Sequence, residues 1–138
     1  MALADPFRVE QVVLNLLTNA DKYTPTDLPV EVEVTRQGRA GVISVRDRGE
    51  GIPREHQARI FDRFFRVHDD NGQRRAGTGL GLYIARSLVE GMSGRIWVDS
   101  EVGDGSTFAF SLPLIEVRGG EQRVAGEKQP TVRNLMAV

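Results

Sequence analysis

Val30-Glu31-Val32-Glu33-Val34 alternates apolar and acidic residues without a break, and a second apolar alternation, Val42-Ile43-Ser44-Val45-Arg46-Asp47, follows a Gln37-Gly38-Arg39 turn. Strict period-two alternation marks a half-buried strand, because successive side chains leave a strand on opposite faces. Two such runs across a glycine turn predict an antiparallel hairpin. Ile43, Val45 and Asp47 then point the same way, which puts a carboxylate at the inner end of an apolar row. Arg95–Ser100 and Ser106–Leu114 form a second strand pair around Gly103-Asp104-Gly105, with Phe108, Phe110 and Leu112 on one face. Helical patterns fill the gaps. One runs from Asp5-Pro6 to about Tyr23, a short one starts near Arg54, and one begins in Gly77–Leu82 and ends near Gly91 or Gly94. The order is α, β, β, α, loop, α, β, β. Hairpins and helices in blocks predict an α+β fold, a two-layer sandwich whose mixed, mostly antiparallel sheet is covered on one face by helices. A doubly wound fold needs single strands alternating with helices.

The first helix carries the oddest residues. At about 100° per residue, Asn15, Asn19 and Lys22 fall within roughly 60° of one another. Val9, Val12, Val13, Leu16, Leu17 and Ala20 fill an adjoining arc of about 140°. Asparagine is a poor helix former, since its amide competes for backbone hydrogen bonds. Beside the core face there is thus a ridge of two amides and an ammonium. Amide oxygens suit a hard cation, and an ammonium suits a phosphate. A plain solvated helix face is the other reading of the same residues.

Bulk composition narrows the function classes. The chain has 138 residues, 40% hydrophobic and 27% charged, with a net charge of −1. That fits one domain with a sizeable core and gives no broad attraction to nucleic acid or membrane. Cysteine is absent, which removes disulfides and thiol chemistry and leaves a cytosolic setting unopposed. His56 and His68 stand apart from any zinc-spaced cluster and read as surface residues. No apolar run approaches a membrane span, and the first residues are too short and uncharged for a signal peptide.

Glycine is the one excess, 15 residues concentrated in clusters. Gly77-Thr78-Gly79-Leu80-Gly81 precedes a helix, where bare backbone and free N–H groups accept an anion. It follows a polar loop and lacks the Walker lysine, so it is neither a Rossmann fingerprint nor a P-loop. Asp47-Arg48-Gly49-Glu50-Gly51 sets a carboxylate at a strand end beside bare backbone. Such an aspartate accepts from an exocyclic amine and leaves room for a flat ring, as adenine requires; it can equally cap a tight turn. Arg66, Arg74 and Arg75 flank the polar loop before the second cluster and suit phosphates or solvent alike.

In this order the motifs resemble the catalytic ATP-binding domain of bacterial sensor histidine kinases, the Bergerat (GHKL-type) fold shared with gyrase and Hsp90. Asn15–Pro25 is similar to the N box and Asp47–Pro53 to the first glycine box. Ile60-Phe61-Asp62-Arg63-Phe64-Phe65-Arg66 is similar to the F box, Gly77–Leu82 to the second glycine box, and Gly105-Ser106-Thr107-Phe108 to the last. The resemblance covers residues 5–114 and implies a catalytic domain over 1–115; residues 116–138 are charged, glycine-bearing and without periodicity, and read by themselves as a flexible tail. It implies ATP and Mg²⁺ as cofactors. Asn15 and Asn19 would hold the metal, Lys22 and Arg66 would contact phosphates, and Tyr23 would pack on the nucleotide. Asp47 would take the adenine amine, with Gly49, Gly51 and Ile52 beside it. Gly77, Thr78, Gly79, Leu80 and Gly81 would frame the phosphates, with 67–76 as a lid, and Thr107 would support adenine through water. Asn19, Lys22 and Arg66 would carry the catalysis.

The resemblance further implies a cytoplasmic histidine kinase, or the cytoplasmic part of a membrane-bound sensor, acting in two-component signalling. Relatives begin with an extra helix and strand, so the fold is expected to be shortened at its N-terminus and one sheet edge to be open. No phosphoacceptor segment is recognisable. The acceptor histidine is expected on a dimerisation domain of the same parent or of a split partner, with a response regulator acting downstream. Relatives that hydrolyse ATP place glutamate where Asn15 stands. That asparagine disfavours a GHKL-type ATPase, and Asn15 with the F box disfavours an anti-sigma-type serine kinase. A non-catalytic nucleotide sensor is the remaining alternative.

Overall fold

The computed structural model describes residues 4–23, 28–65, 80–114 and 131–133, with backbone alone at 21–23 and 131–133. Its first element is helix α1, Pro6–Tyr23. Asp5 caps it: its Oδ1 accepts the Phe7 N–H at 2.9 Å and its carbonyl accepts the Val9 N–H at 2.9 Å. Strands β1 (Glu31–Gln37) and β2 (Ala40–Asp47) form the first hairpin. Glu31 stands opposite Arg46, Val32 opposite Val45 and Val34 opposite Ile43.

The second hairpin, β3 (Arg95–Glu101) and β4 (Gly105–Pro113), joins the first through β2, with Asp47 opposite Ser106 and Val45 opposite Phe108. A short strand β5, Thr131–Arg133, adds to β1. The sheet order is β3-β4-β2-β1-β5, and every pairing is antiparallel.

One expectation changes here. The edge of β1, expected open, is paired over Glu31–Glu33 by Thr131–Arg133. The reading of 116–138 as patternless therefore does not extend to those three residues. Their pairing uses backbone N–H and C=O groups, and three residues are too short a run to show a hydrophobic period. The helix after Arg54 is short, as expected. Helix α2 covers Arg54–Gln57 and is followed by turns. Ile60 and Phe61 are buried, but Phe64 adopts φ 64° and lies 62% exposed. Spacing of three and four is produced by turns here, not by a continuing helix.

Helix α3, Gly81–Gly91, starts one residue after Leu80. Asn15 sits beside Gly81, and Arg8 reaches Gly91, so α1 and α3 run antiparallel. Both helices cover one face of the sheet. Val12, Leu16 and Ala20 from α1 and Ala85 and Val89 from α3 share a core with Val45, Phe108 and Phe110. Phe61 packs edge-on against Phe108, with ring centroids 6.1 Å apart. Burying each of these large side chains stabilises the fold by about 1.5–3 kcal/mol, which is why the alternating rows face the helices. Among the described residues no helix is long and apolar enough to cross a membrane.

Candidate nucleotide site

β2 ends by pointing Asp47 toward the helix layer, and the side chain is only 3% exposed. Its Oδ1 accepts the Gly49 N–H at 2.9 Å and the Ser106 N–H at 3.2 Å. Burial pushes the carboxyl above its ordinary value, and these two N–H groups oppose the rise without cancelling it. A carboxylate kept in so dry a place disfavours its own charge unless a further donor arrives.

The segment after Asp47 is fastened to the turn between β3 and β4. The Gly103 N–H donates to the Glu50 carbonyl at 2.8 Å. Gly51 adopts φ +81°, and a Cβ there would lie 2.2 Å from the Glu101 carbonyl oxygen. Gly105 adopts φ +91°, and a Cβ there would lie 2.2 Å from the Asp47 carbonyl oxygen. Only glycine permits both the backbone angle and the approach. Ile52 packs its side chain on the core beneath.

The alternation of β4 decides which hydroxyl joins Asp47. Ser106 stands directly opposite Asp47 and shares its face, whereas Thr107 stands opposite Arg46 on the other face. The structure therefore does not bring the Thr107 side chain to the carboxylate; Ser106 occupies that place. The signal was available in the sequence, because Ser106 has the same parity as Phe108, Phe110 and Leu112.

Nothing in the sequence singles out Ser100 and Gln57. The Ser100 Oγ accepts the Ile52 N–H at 2.8 Å, and the Gln57 Nε2 donates to the Ile52 carbonyl at 2.8 Å. Their separations of 48 and 5 residues carry no motif.

The other wall is the amide ridge of α1. Asn15 and Asn19 are half-buried, one turn apart. The Asn15 Nδ2 donates to the Gly81 carbonyl at 3.1 Å, and its Oδ1 accepts from the Gln11 Nε2 at 3.5 Å. The N box and the start of α3 are thus joined directly. Leu80 is half-buried at the head of α3, and Gly81 has nothing within 4 Å of an added Cβ. The Lys22 and Tyr23 side chains, Arg66, Gly77, Thr78 and Gly79 lie outside the described residues, as does His68.

The donor set suits a particular kind of metal binding. Among the described residues no three His, Cys, Asp or Glu side chains gather to cage an ion. Asn15 and Asn19 supply neutral hard oxygens, and the tie of Nδ2 to Gly81 fixes which Asn15 atom is the acceptor. Two amides are too few for a cage but fit Mg²⁺ that arrives on phosphates and keeps water ligands.

The F-box turn leans on α3. Asp62 pairs with Arg59 and Arg86 at 3.8 Å each, and the Arg63 guanidinium lies 5.5 Å from both the Phe64 and Tyr83 ring centroids. His56, expected at the surface, is half-buried and meets Phe65 edge-on at 5.6 Å. Its Nδ1 is the one buried side-chain polar atom without a hydrogen-bond partner among the described residues.

Residues 4–116 match the family described as histidine kinase-, DNA gyrase B- and HSP90-like ATPases. The chain is 43% identical over 112 residues to the adaptive-response sensory kinase SasA of Gloeothece citriformis, covering 80% of this chain and 28% of that protein. It therefore spans less than a third of that relative's length. Its fold is similar to the mycobacterial sensor histidine kinase MprB, with a TM-score of 0.70 and 29% identity, covering 81% of this chain and 74% of the other. It is also similar to full-length ShkA in complex with AMPPNP, with a TM-score of 0.69 and 35% identity, covering 81% of this chain and 22% of the other.

Proposed function

Because the chain belongs to the histidine kinase-, DNA gyrase B- and HSP90-like ATPase family, we propose that it is the Mg·ATP-binding catalytic domain of a sensor histidine kinase. It delivers the γ-phosphate to a histidine on a separate dimerisation and phosphoacceptor domain, on the cytoplasmic side, and a response regulator receives the phosphate afterwards. One observation carries the reading: the buried Asp47 acceptor and the Asn15–Gly81 junction turn toward the same helix-covered side of the sheet. The first matches an adenine amine and the second a chain of phosphates. The SasA, MprB and ShkA similarities support the kinase assignment, and the AMPPNP named with ShkA supports the nucleotide.

Each residue has a defined task. Asp47 accepts the exocyclic amine, with Gly49, Gly51 and Ile52 shaping the ring site. Ser106 replaces Thr107 as the hydroxyl beside Asp47. The Gly81 N–H at the start of α3 and the glycines before it donate to phosphate oxygens, with Leu80 beside them. Lys22 and Arg66 offset phosphate charge, Tyr23 packs on the nucleotide, and Asn15 and Asn19 present amide oxygens to Mg²⁺. Held by those amides, Mg²⁺ would supply charge neutralisation to the phosphates. In the transfer, an imidazole nitrogen of the acceptor forms the new P–N bond, the bond to the β-phosphate oxygen breaks, and ADP leaves. The chain positions and neutralises; it performs no covalent step of its own. Asn15, lacking a carboxylate, cannot take a proton from water, which argues against hydrolysis as the main reaction.

The test is transfer from γ-labelled ATP to a supplied acceptor domain. Label that is acid-labile and base-stable is expected, lost on adding EDTA and lost in Asn19→Ala. Transfer by Asn19→Ala at the wild-type rate, or label stable to acid, would refute the reading.

A further inference from the structure

Ser100 is the second-last residue of β3 and lies opposite Ser106 in the β3–β4 ladder. Its Oγ accepts the Ile52 N–H at 2.8 Å, donates to the Gly105 carbonyl at 3.0 Å, and lies 2.8 Å from the Ser106 Oγ. A hydroxyl has one proton and two lone pairs. With its proton on Gly105, the Ile52 N–H and the Ser106 O–H occupy the two lone pairs. The hydroxyl is then saturated, and the Ser106 proton is committed to it, which leaves Ser106 as an acceptor toward the site.

The Gly105 carbonyl and the Ser106 N–H belong to one rigid peptide group. Ser100 holds the carbonyl end, and the N–H end donates to the Asp47 Oδ1 at 3.2 Å. The same hydroxyl holds the Ile52 backbone N–H, while Gln57 Nε2 holds the Ile52 carbonyl at 2.8 Å and the Ser100 carbonyl at 3.0 Å. Both walls expected around adenine, the carboxylate and the Ile52 segment, are therefore oriented through one side chain.

We propose that Ser100, supported by Gln57, is a positioning residue for adenine recognition: it aims the Gly105–Ser106 peptide at Asp47 and fixes Ile52, without touching the ligand. The inference rests on the ATP-binding reading above. A hydroxyl serving only the turn would alter stability and leave the preference for adenine unchanged. A positioning hydroxyl alters that preference.

The experiment titrates Mg·ATP and Mg·triphosphate into the full chain and into Ser100→Ala, Ser100→Thr and Gln57→Met, with thermal melts alongside. Ser100→Ala is expected to weaken ATP by about tenfold, the scale of one to two lost hydrogen bonds, and triphosphate by less than about twofold. Ser100→Thr, which keeps the hydroxyl and suits a strand, is expected to recover most of the ATP affinity. Gln57→Met is expected to move ATP in the same direction by a smaller factor, and it stands in if Ser100→Ala does not fold. Equal losses for both ligands, no loss for ATP, or no recovery in Ser100→Thr would overturn the proposal while leaving the ATP-binding reading intact. Failure of the wild-type chain to bind ATP at all would overturn that reading first, and the proposal with it.

Discussion

Asn15 Nδ2 donates to the Gly81 carbonyl oxygen over 3.1 Å, between positions 66 residues apart in the chain. The bond ties the amide ridge of α1 to the first residue of α3 and leaves the Asn15 Oδ1 as the side chain's acceptor. Nδ2 thus holds the fold, while Oδ1, which accepts from the Gln11 Nε2 at 3.5 Å, is the atom with acceptor capacity for a ligand. Asn15→Ala should cost about 0.5–1.5 kcal/mol of stability, the net worth of one such bond, measured by urea unfolding. Asn15→Asp should cost more, because it sets a carboxylate oxygen against a carbonyl oxygen. Both should weaken Mg·ATP, and the alanine variant should respond less to added Mg²⁺ than the wild type does.

Asp47 sets fold and ligand against each other. Burial raises its carboxyl above 3.8, so the folded chain holds that proton more tightly than the unfolded chain does. This group's contribution to ligand-free stability is therefore largest below pH 3.8 and declines as pH rises through the raised folded value. Asp47→Asn should flatten that slope in melts recorded across pH. At neutral pH it should unfold at the same or a higher temperature, yet bind ATP at least about tenfold more weakly, a loss of roughly 1.4 kcal/mol. Inorganic triphosphate should bind the two proteins alike.

Gly51 and Gly105 meet backbone oxygen at 2.2 Å from an added Cβ, and both have positive φ. Neither neighbour is a flexible side-chain end. Gly51→Ala or Gly105→Ala should therefore cost about 2–4 kcal/mol or prevent folding, as read by denaturant midpoint.

Gly81 makes the opposite case. An added Cβ there meets nothing within 4 Å, and the residue opens a helix. Gly81→Ala should leave stability unchanged or raise it by up to about 1 kcal/mol. If this backbone receives phosphate, the same substitution should lower affinity for ATP and for triphosphate together. A gain in stability with a loss in binding would identify Gly81 as a residue serving the ligand and not the fold.

Asp62 joins the F-box turn to α3 through Arg86, but both side chains are partly exposed. Asp62→Asn should change stability by less than about 1 kcal/mol, with the difference shrinking as salt is added. A melt series in sodium chloride measures it.

Much of this was legible in one dimension. Alternation in Val30–Val34 and Val42–Asp47 specified a hairpin and placed Asp47 on the buried side, because strand side chains have a period of two. The helical arc of Val12, Leu16 and Ala20 specified which side of α1 meets the core and so where Asn15 and Asn19 must run. Motif order was enough to name the family. What remained hidden depends on register and on contacts distant in sequence. The parity of Ser106 with Phe108, Phe110 and Leu112 put it on the buried face, but only the β2–β4 register sets it directly opposite Asp47. Nothing local makes Phe64 turn outward at φ 64° while Phe61 stays buried. The backbone bonds by which Thr131–Arg133 cover the β1 edge follow no side-chain pattern. The sequence by itself determined the elements, their buried faces and the chemical types at the site, since these follow from local periodicity. Only the tertiary structure decided that Ser106 stands directly opposite the carboxylate and that the Asn15 Nδ2 is bound to Gly81, because both depend on how separate elements are aligned in space.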